Sequence, residues 1–197
     1  CCTGVRIQLE SSASGAAVLA LALSPAGDLL AVGGKGEAVV LYALPGGKEV
    51  QRLPFGGAVN ALQMRAAVGG GGGAVLVGGG DAPRARVWRI APHAEDAAAV
   101  AEGAPPRATE ERELIHGAQI RSLATSADCA RLATGGTDRR LVVWRLPAGS
   151  RSSEVAWAAP PAERGFAVAA LALSDDGALL ASAAASSVSL WDASDGA

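Results

Sequence analysis

Aromatic side chains are scarce in this chain: four Trp, two Phe and one Tyr among 197 residues. The apolar half of the composition is rich in alanine, with 26 glycines beside it. Alanine buries little area, so at about 25 cal/mol per Å² of apolar surface the core is expected to be weaker than usual. Cysteine is nearly absent. Cys1 and Cys2 are adjacent and Cys129 stands alone, which gives neither a disulfide framework nor a metal-ligand spacing. A reducing, intracellular compartment is therefore expected, the cytoplasm first with the nucleus still open. No apolar run approaches the roughly 18 residues that a membrane helix needs. The net charge of −2 and the pI near 5.7 give no basic footprint for nucleic acid or for a membrane surface. The chain starts on Cys and shows no charged-then-apolar leader, so no signal peptide is expected, and it reads as an excerpt of a longer frame.

What is present is repetition, and its clearest piece is LATGGTDRRLVVW, Leu132 to Trp144. Ile120 to Ser126 mixes apolar and polar residues, as a partly buried strand does. Ala127-Asp128 is turn chemistry, because Asp can hydrogen-bond the backbone there. Arg131 to Gly135 is a second short strand, and Gly136-Thr137-Asp138 a second turn. Leu141-Val142-Val143-Trp144 is apolar, β-branched and aromatic, and too short for a helix. Three short strands joined by tight turns predict an antiparallel meander.

The run from His116 to Trp144 recurs. Shifted by 102 residues it falls on Ser14 to Tyr42 without a gap, with Ile120 on Val18, Leu132 on Leu30 and Trp144 on Tyr42. Shifted forward by 48 it meets Val168, Ser174 and Leu180, and one deletion brings Trp144 onto Trp191. A further copy runs from Val59 to Trp88 and needs five extra residues, supplied by Gly69 to Gly73. The repeats thus end at Tyr42, Trp88, Trp144 and Trp191, spaced by 46, 56 and 47 residues. A period of this order, with strands, turns and a terminal aromatic, is the propeller pattern.

SPAGDLLAVGG, SADCARLATGGTDRRLVVW and SDDGALLASAAASSVSLWD together resemble the WD40 repeat, and the resemblance covers nearly the whole chain. It implies an all-β fold: a WD40-type β-propeller of about four blades, each a four-stranded antiparallel meander, as part of a larger ring. The expected repeats are 14–53, 57–90, 116–157 and 164–192. Val5 to Leu9 would be the outer strand of a preceding blade, and the fourth repeat would lack its own outer strand. Pro92 to Arg112 is rich in Ala, Pro and charge and has no period, so it reads as a mobile surface insertion; a helix over Ala94 to Glu102 is the alternative there.

Candidate chemistry is thin. The resemblance implies a hydrogen-bonded structural tetrad of His116, Thr134, Asp138 and Trp144. A catalytic use of His116 with Asp138 has no nucleophile beside it, whereas a satisfied buried network explains the same residues. The other repeats depart from the tetrad, with Val32 and Tyr42 in the first, Gly78 and Ala82 in the second, and Ser182 with Arg164 at the His position in the fourth. Gly69 to Gly73 lacks the following helix and Lys-Ser/Thr pair of a phosphate loop, and Gly33-Gly34-Lys35-Gly36 fails the same test, so both read as hairpin turns. His93 falls in the insertion. Glu110, Glu111 and Glu113 read as a charged outer strand, and Arg139-Arg140 is too small for a nucleic-acid patch.

The resemblance further implies that partners dock on one end of the propeller. Carried over by position, that end displays Leu19, Ala169 and Ala185, and the polar residues Lys35, Asn60, Asp81, Arg121 and Thr137 as partner-binding candidates. The expected function is a non-enzymatic scaffold for a partner protein or peptide, with no cofactor, no metal, no nucleic acid and no membrane contact in this segment. Two regulatory readings stand beside it. LATGGTDRRLVVWRLP after a long insertion is similar to the endoplasmic-reticulum exchange factors for the Sar GTPase, although their glycine-rich potassium-site loop and C-terminal anchor are not seen. Substrate receptors of cullin-type ubiquitin ligases carry Trp-Asp-x-Arg, where this chain has Trp191-Asp192-Ala193-Ser194.

Overall fold

Fifteen strands arranged as four separate meanders make up the computed structural model, which describes residues 17–67, 73–91, 107–147, 152–159 and 166–196. No helix occurs among them. Blade 1 comprises β1 (Val18–Leu23), β2 (Leu29–Gly34), β3 (Ala38–Ala43) and β4 (Lys48–Pro54). Blade 2 comprises β5 (Val59–Ala66), β6 (Ala74–Gly80), β7 (Arg84–Ile90) and β8 (Ala108–Ile115). Blade 3 comprises β9 (Ile120–Thr125), β10 (Arg131–Gly136), β11 (Leu141–Arg145) and β12 (Glu154–Ala159), and blade 4 has β13 (Ala170–Leu173), β14 (Leu179–Ala184) and β15 (Ser187–Asp192). Each sheet is antiparallel with its strands in chain order, and among the described residues blade 4 has three strands where the others have four.

The inner strands stand side by side, β1 against β5, β5 against β9 and β9 against β13, so the blades fan around one axis. Cross-strand pairing sets the two faces of each blade, because residues directly opposite one another share a face. In blade 1, Leu29 and Ala31 pair with Ala43 and Leu41 and face blade 2, while Leu30 and Val32 pair with Tyr42 and Val40 and face the other way. The same irregularity recurs before the aromatic of the third strand, at Leu41/Tyr42, Val87/Trp88 and Val143/Trp144. A bulge there raises the local twist that a blade requires.

The core is divided among the joints. Leu29, Val39 and Leu41 of blade 1 meet Phe55, Leu76 and Trp88. Val75, Val77 and Val87 of blade 2 meet Leu132, Val142 and Trp144. Ala133, Leu141 and Val143 of blade 3 meet Leu173, Leu180 and Trp191. Glycine is required at each joint for a steric reason. A Cβ on Gly33, Gly79 or Gly135 would lie 2.5–2.6 Å from Val59, Ile120 or Val168, the first residue of the next inner strand or its neighbour. Polar ties add to the packing: Gln51 brackets the backbone of Ala108 with bonds of 3.0 and 2.8 Å, and Gln63 accepts from Thr125 N at 2.8 Å.

One boundary differs from expectation. The insertion expected over residues 92–112 is shorter at its C-terminal end, because Ala108 to Arg112 belong to β8, the outer strand of blade 2. The strand is held by its backbone ladder with β7 and by buried Ala108 and Leu114, and it carries ion pairs that a composition reading does not reveal: Arg84 to Glu113 at 2.6 Å, Arg86 to Glu110 at 2.9 Å and Arg89 to Glu111 at 2.6 Å. Val5 to Leu9, Ser14, Gly69 to Gly72, residues 92–106 with His93, and Arg164 lie outside the described residues. Gly73 leads into β6 and Gly34 to Gly36 join β2 to β3, so strand follows glycine in both places.

Candidate interaction face and the blade 3 network

His116 precedes β9, and its ring is fully enclosed. Its Nδ1 lies 3.0 Å from Thr134 Oγ1, and its Nε2 lies 3.3 Å from Asp138 Oδ1. Trp144 donates from Nε1 to the same Thr134 oxygen at 2.9 Å. The structure therefore brings His116, Thr134, Asp138 and Trp144 into one chain of contacts. A single protonation pattern satisfies every member. The Nε2–H donates to Asp138, the Thr134 hydroxyl donates to Nδ1, and the Trp144 N–H donates to Thr134. The imidazole is then neutral. Burial holds its pKa below the ordinary value of 6.5, against the opposing pull of the Asp138 carboxylate, with Arg140 adding a smaller push downward. Gly136 is sterically fixed, since a Cβ there would sit 2.5 Å from His116 Nε2.

The other blades treat the same register differently. In blade 4, Trp191 donates to Ser182 Oγ at 2.8 Å. In blade 1, Val32 occupies the threonine position, and the buried hydroxyl of Tyr42 has no partner among the described residues. In blade 2, a Cβ on Gly78 would lie 3.1 Å from the Trp88 ring, which thus rests directly on backbone.

At one end of the blade axis lies a cleft of about 900 Å³. Lys35 and Glu37 reach it from the β2–β3 turn, Asn60 from β5, Asp81 from the β6–β7 turn and Arg121 from β9. Ala167 and Ala169 form the blade 4 side, and Leu19 the blade 1 side. Asn60 donates to Asp81 Oδ1 at 3.0 Å and to Ile120 O at 3.3 Å, which ties blade 2 to blade 3 at the rim. Four of the five polar partner candidates, Lys35, Asn60, Asp81 and Arg121, thus line one cavity. Thr137 is exposed in the β10–β11 turn and is not among the lining residues, nor is Ala185. Glu37 lines the cleft and escaped the sequence reading. It adopts φ of 59°, a conformation that no sequence motif announced.

A smaller cavity of about 140 Å³ lies between blades 2 and 3, beside Cys129, Arg89 and Glu111. Burial pushes the Cys129 thiol up to about 11, which keeps it in the protonated form at neutral pH. Among the described residues, no group of His, Cys, Asp and Glu could hold a metal ion, and no helix is long and apolar enough to cross a membrane.

Separate meanders fanned about an axis, with one cleft at the end of that axis, define a β-propeller architecture. The family described as WD domain, G-beta repeat, matches residues 110–145 and 162–192. Two stretches of the chain thus match the WD40 repeat, a repeat that indicates a scaffold for protein–protein interaction. No curated protein matches the sequence. Among solved structures, a chain of "Crystal Structure of Mitotic Checkpoint Complex" is similar in fold, with 20% identity and a TM-score of 0.68 over 94% of this chain. The chain covers 51% of that protein's length.

Proposed function

We propose that the chain is a non-enzymatic scaffold that presents the Lys35–Asn60–Asp81–Arg121 cleft to a partner protein or peptide. The observation that carries this reading is convergence: three blades, distant in sequence, deliver four directed polar side chains to one concavity. Its volume falls in the range of ordinary binding clefts. In this reading His116, Thr134, Asp138 and Trp144 brace blade 3 and perform no chemistry, since each polar atom already has a partner within the network. Lys35 and Arg121 would contact carboxylates or carbonyls of the partner, and Asn60 with Asp81 would orient its backbone. Thr137 would act at most as a rim contact.

The test is capture of binding partners with the wild-type chain and with a Lys35→Glu/Arg121→Glu variant. Both positions are exposed, so the variant should keep the same far-ultraviolet circular dichroism. Loss of the partners captured by wild type is the expected result. Retention of all of them would rule out this end as the binding face.

A further inference from the structure

The rim of the cleft is shaped by a backbone irregularity that recurs from blade to blade. In blade 1, Val18 pairs with Gly34 and Ala20 with Gly33, so Leu19 has no partner in the ladder. In blade 2, Val59 pairs with Gly80 and Ala61 with Gly79, which leaves out Asn60. In blade 3, Ile120 pairs with Gly136 and Ser122 with Gly135, which leaves out Arg121. Each is a β-bulge, which frees one residue from the ladder and re-aims its side chain. Gly34 and Gly80 permit it, because a Cβ on either would collide with the backbone oxygen of Ala17 or Ala58. All three bulged residues line the cleft.

The hydrogen bonds of Asn60 decide what it can still bind. Its Nδ2 faces two acceptors, Asp81 Oδ1 at 3.0 Å and Ile120 O at 3.3 Å. An amide nitrogen carries two hydrogens, so both are spent, and the amide cannot be turned round, since its oxygen would then face two acceptors. Asn60 Oδ1 accepts from no described residue, which leaves it open to an N–H from outside. On the next blade, Arg121 is exposed and its guanidinium meets no acceptor among the described residues. The other charges at the rim have company. Lys35 and Glu37 stand two residues apart on one turn, and Asp81 already accepts from Asn60.

On the reading that this cleft is the partner face, we propose that its occupant is a peptide segment of a partner protein that carries one acidic side chain. That carboxylate pairs with Arg121, and a main-chain N–H of the same segment donates to Asn60 Oδ1. The planar guanidinium suits a carboxylate through two parallel bonds. Asp81 and Glu37 repel a carboxylate placed elsewhere in the cleft, so the acidic residue has one seat. Leu19 and Ala169 offer only apolar contact. Arg121 thus carries the specificity, while Asn60 holds the segment whatever its side chains are.

Retention of the purified chain on immobilised pools of short peptides, random except for a central Glu, Gln or Lys, tests this. Wild type should prefer the Glu pool over the Gln pool by roughly fivefold, the scale of one ion pair at an exposed site. The gap should shrink as salt is raised. Arg121→Glu should invert the order and favour the Lys pool. Asn60→Ala, with circular dichroism unchanged, should weaken every pool alike. A wild type without a Glu preference, a Glu preference that survives Arg121→Glu, or an Asn60→Ala chain that binds like wild type or loses one pool alone would each overturn the proposal. A Lys preference that Arg121→Glu strengthens would remove the acidic occupant and leave the cleft as the partner face. Partner capture that survives Lys35→Glu/Arg121→Glu would remove the cleft itself.

Discussion

Blade 3 and blade 1 are the same meander drawn in different chemistry. Their repeats align without a gap, and both carry the bulge before the third-strand aromatic. Blade 3 fills the face behind that aromatic with a closed hydrogen-bond chain of Trp144, Thr134, His116 and Asp138. Blade 1 fills it with Val32, Val40 and Tyr42, and the buried tyrosine hydroxyl meets no partner among the described residues. The comparison teaches that aromatic bulk and strand pairing suffice to make the blade. The polar chain adds orientation, since each member fixes the next, and a dependence on pH that blade 1 lacks.

The largest effect expected from breaking that comparison is Trp144→Ala. It removes a buried aromatic and empties the joint with blade 2, at a cost of about 3–5 kcal/mol. A urea titration followed by circular dichroism should show the loss. Next is Thr134→Val, which keeps the shape and writes the blade 1 solution into blade 3. The Trp144 N–H and the His116 ring would then lose a shared partner, costing about 1–3 kcal/mol. A neutral result would mean that the chain of contacts contributes no stability.

The pH effect is smaller and has a definite sign. Burial depresses the His116 pKa in the folded state, so the unfolded chain takes up the proton first as pH falls below about 6.5. Above that value His116 adds no slope. Below it, stability should fall with pH until the folded imidazole itself titrates. The urea midpoint of wild type measured at about pH 7.5 and 5.5 should drop more than that of His116→Gln. The smallest effect is Tyr42→Phe, which deletes an orphaned hydroxyl. It should be neutral or stabilise by up to about 1 kcal/mol, and a clear loss would show that this hydroxyl has a partner.

Much of the architecture was legible in the sequence because the repeat announces itself four times. Each copy places small residues, a turn Asp or Gly and a terminal aromatic at the same offsets, and the strands fall where those offsets put them. The outer strand of blade 2 was half legible: Glu110, Glu111 and Glu113 read as a charged outer strand, while the insertion was expected to run on to Arg112. The pairing of Arg84, Arg86 and Arg89 with those glutamates across β7 and β8 appears only in the fold. The blade 3 network could be named from four residues of matching type at matching positions. Its protonation could not, because that depends on the closure of His116 behind Gly136. The cleft was half legible. Position within the repeat selects Lys35, Asn60, Asp81 and Arg121, but whether they converge depends on the blade angle, and Thr137 stands away from the lining.

The contrast between the two blades is tested most directly by native-state hydrogen exchange at single-residue resolution. Opening free energies should be highest for the amides of β10 and β11, residues 131–145, and lower for the equivalent amides of β2 and β3. They should be lowest for β15, whose outer edge meets no described strand. Equal protection of the two blades, or slower exchange in blade 1, would contradict the claim that the His116 network makes blade 3 the firmest part of the arc.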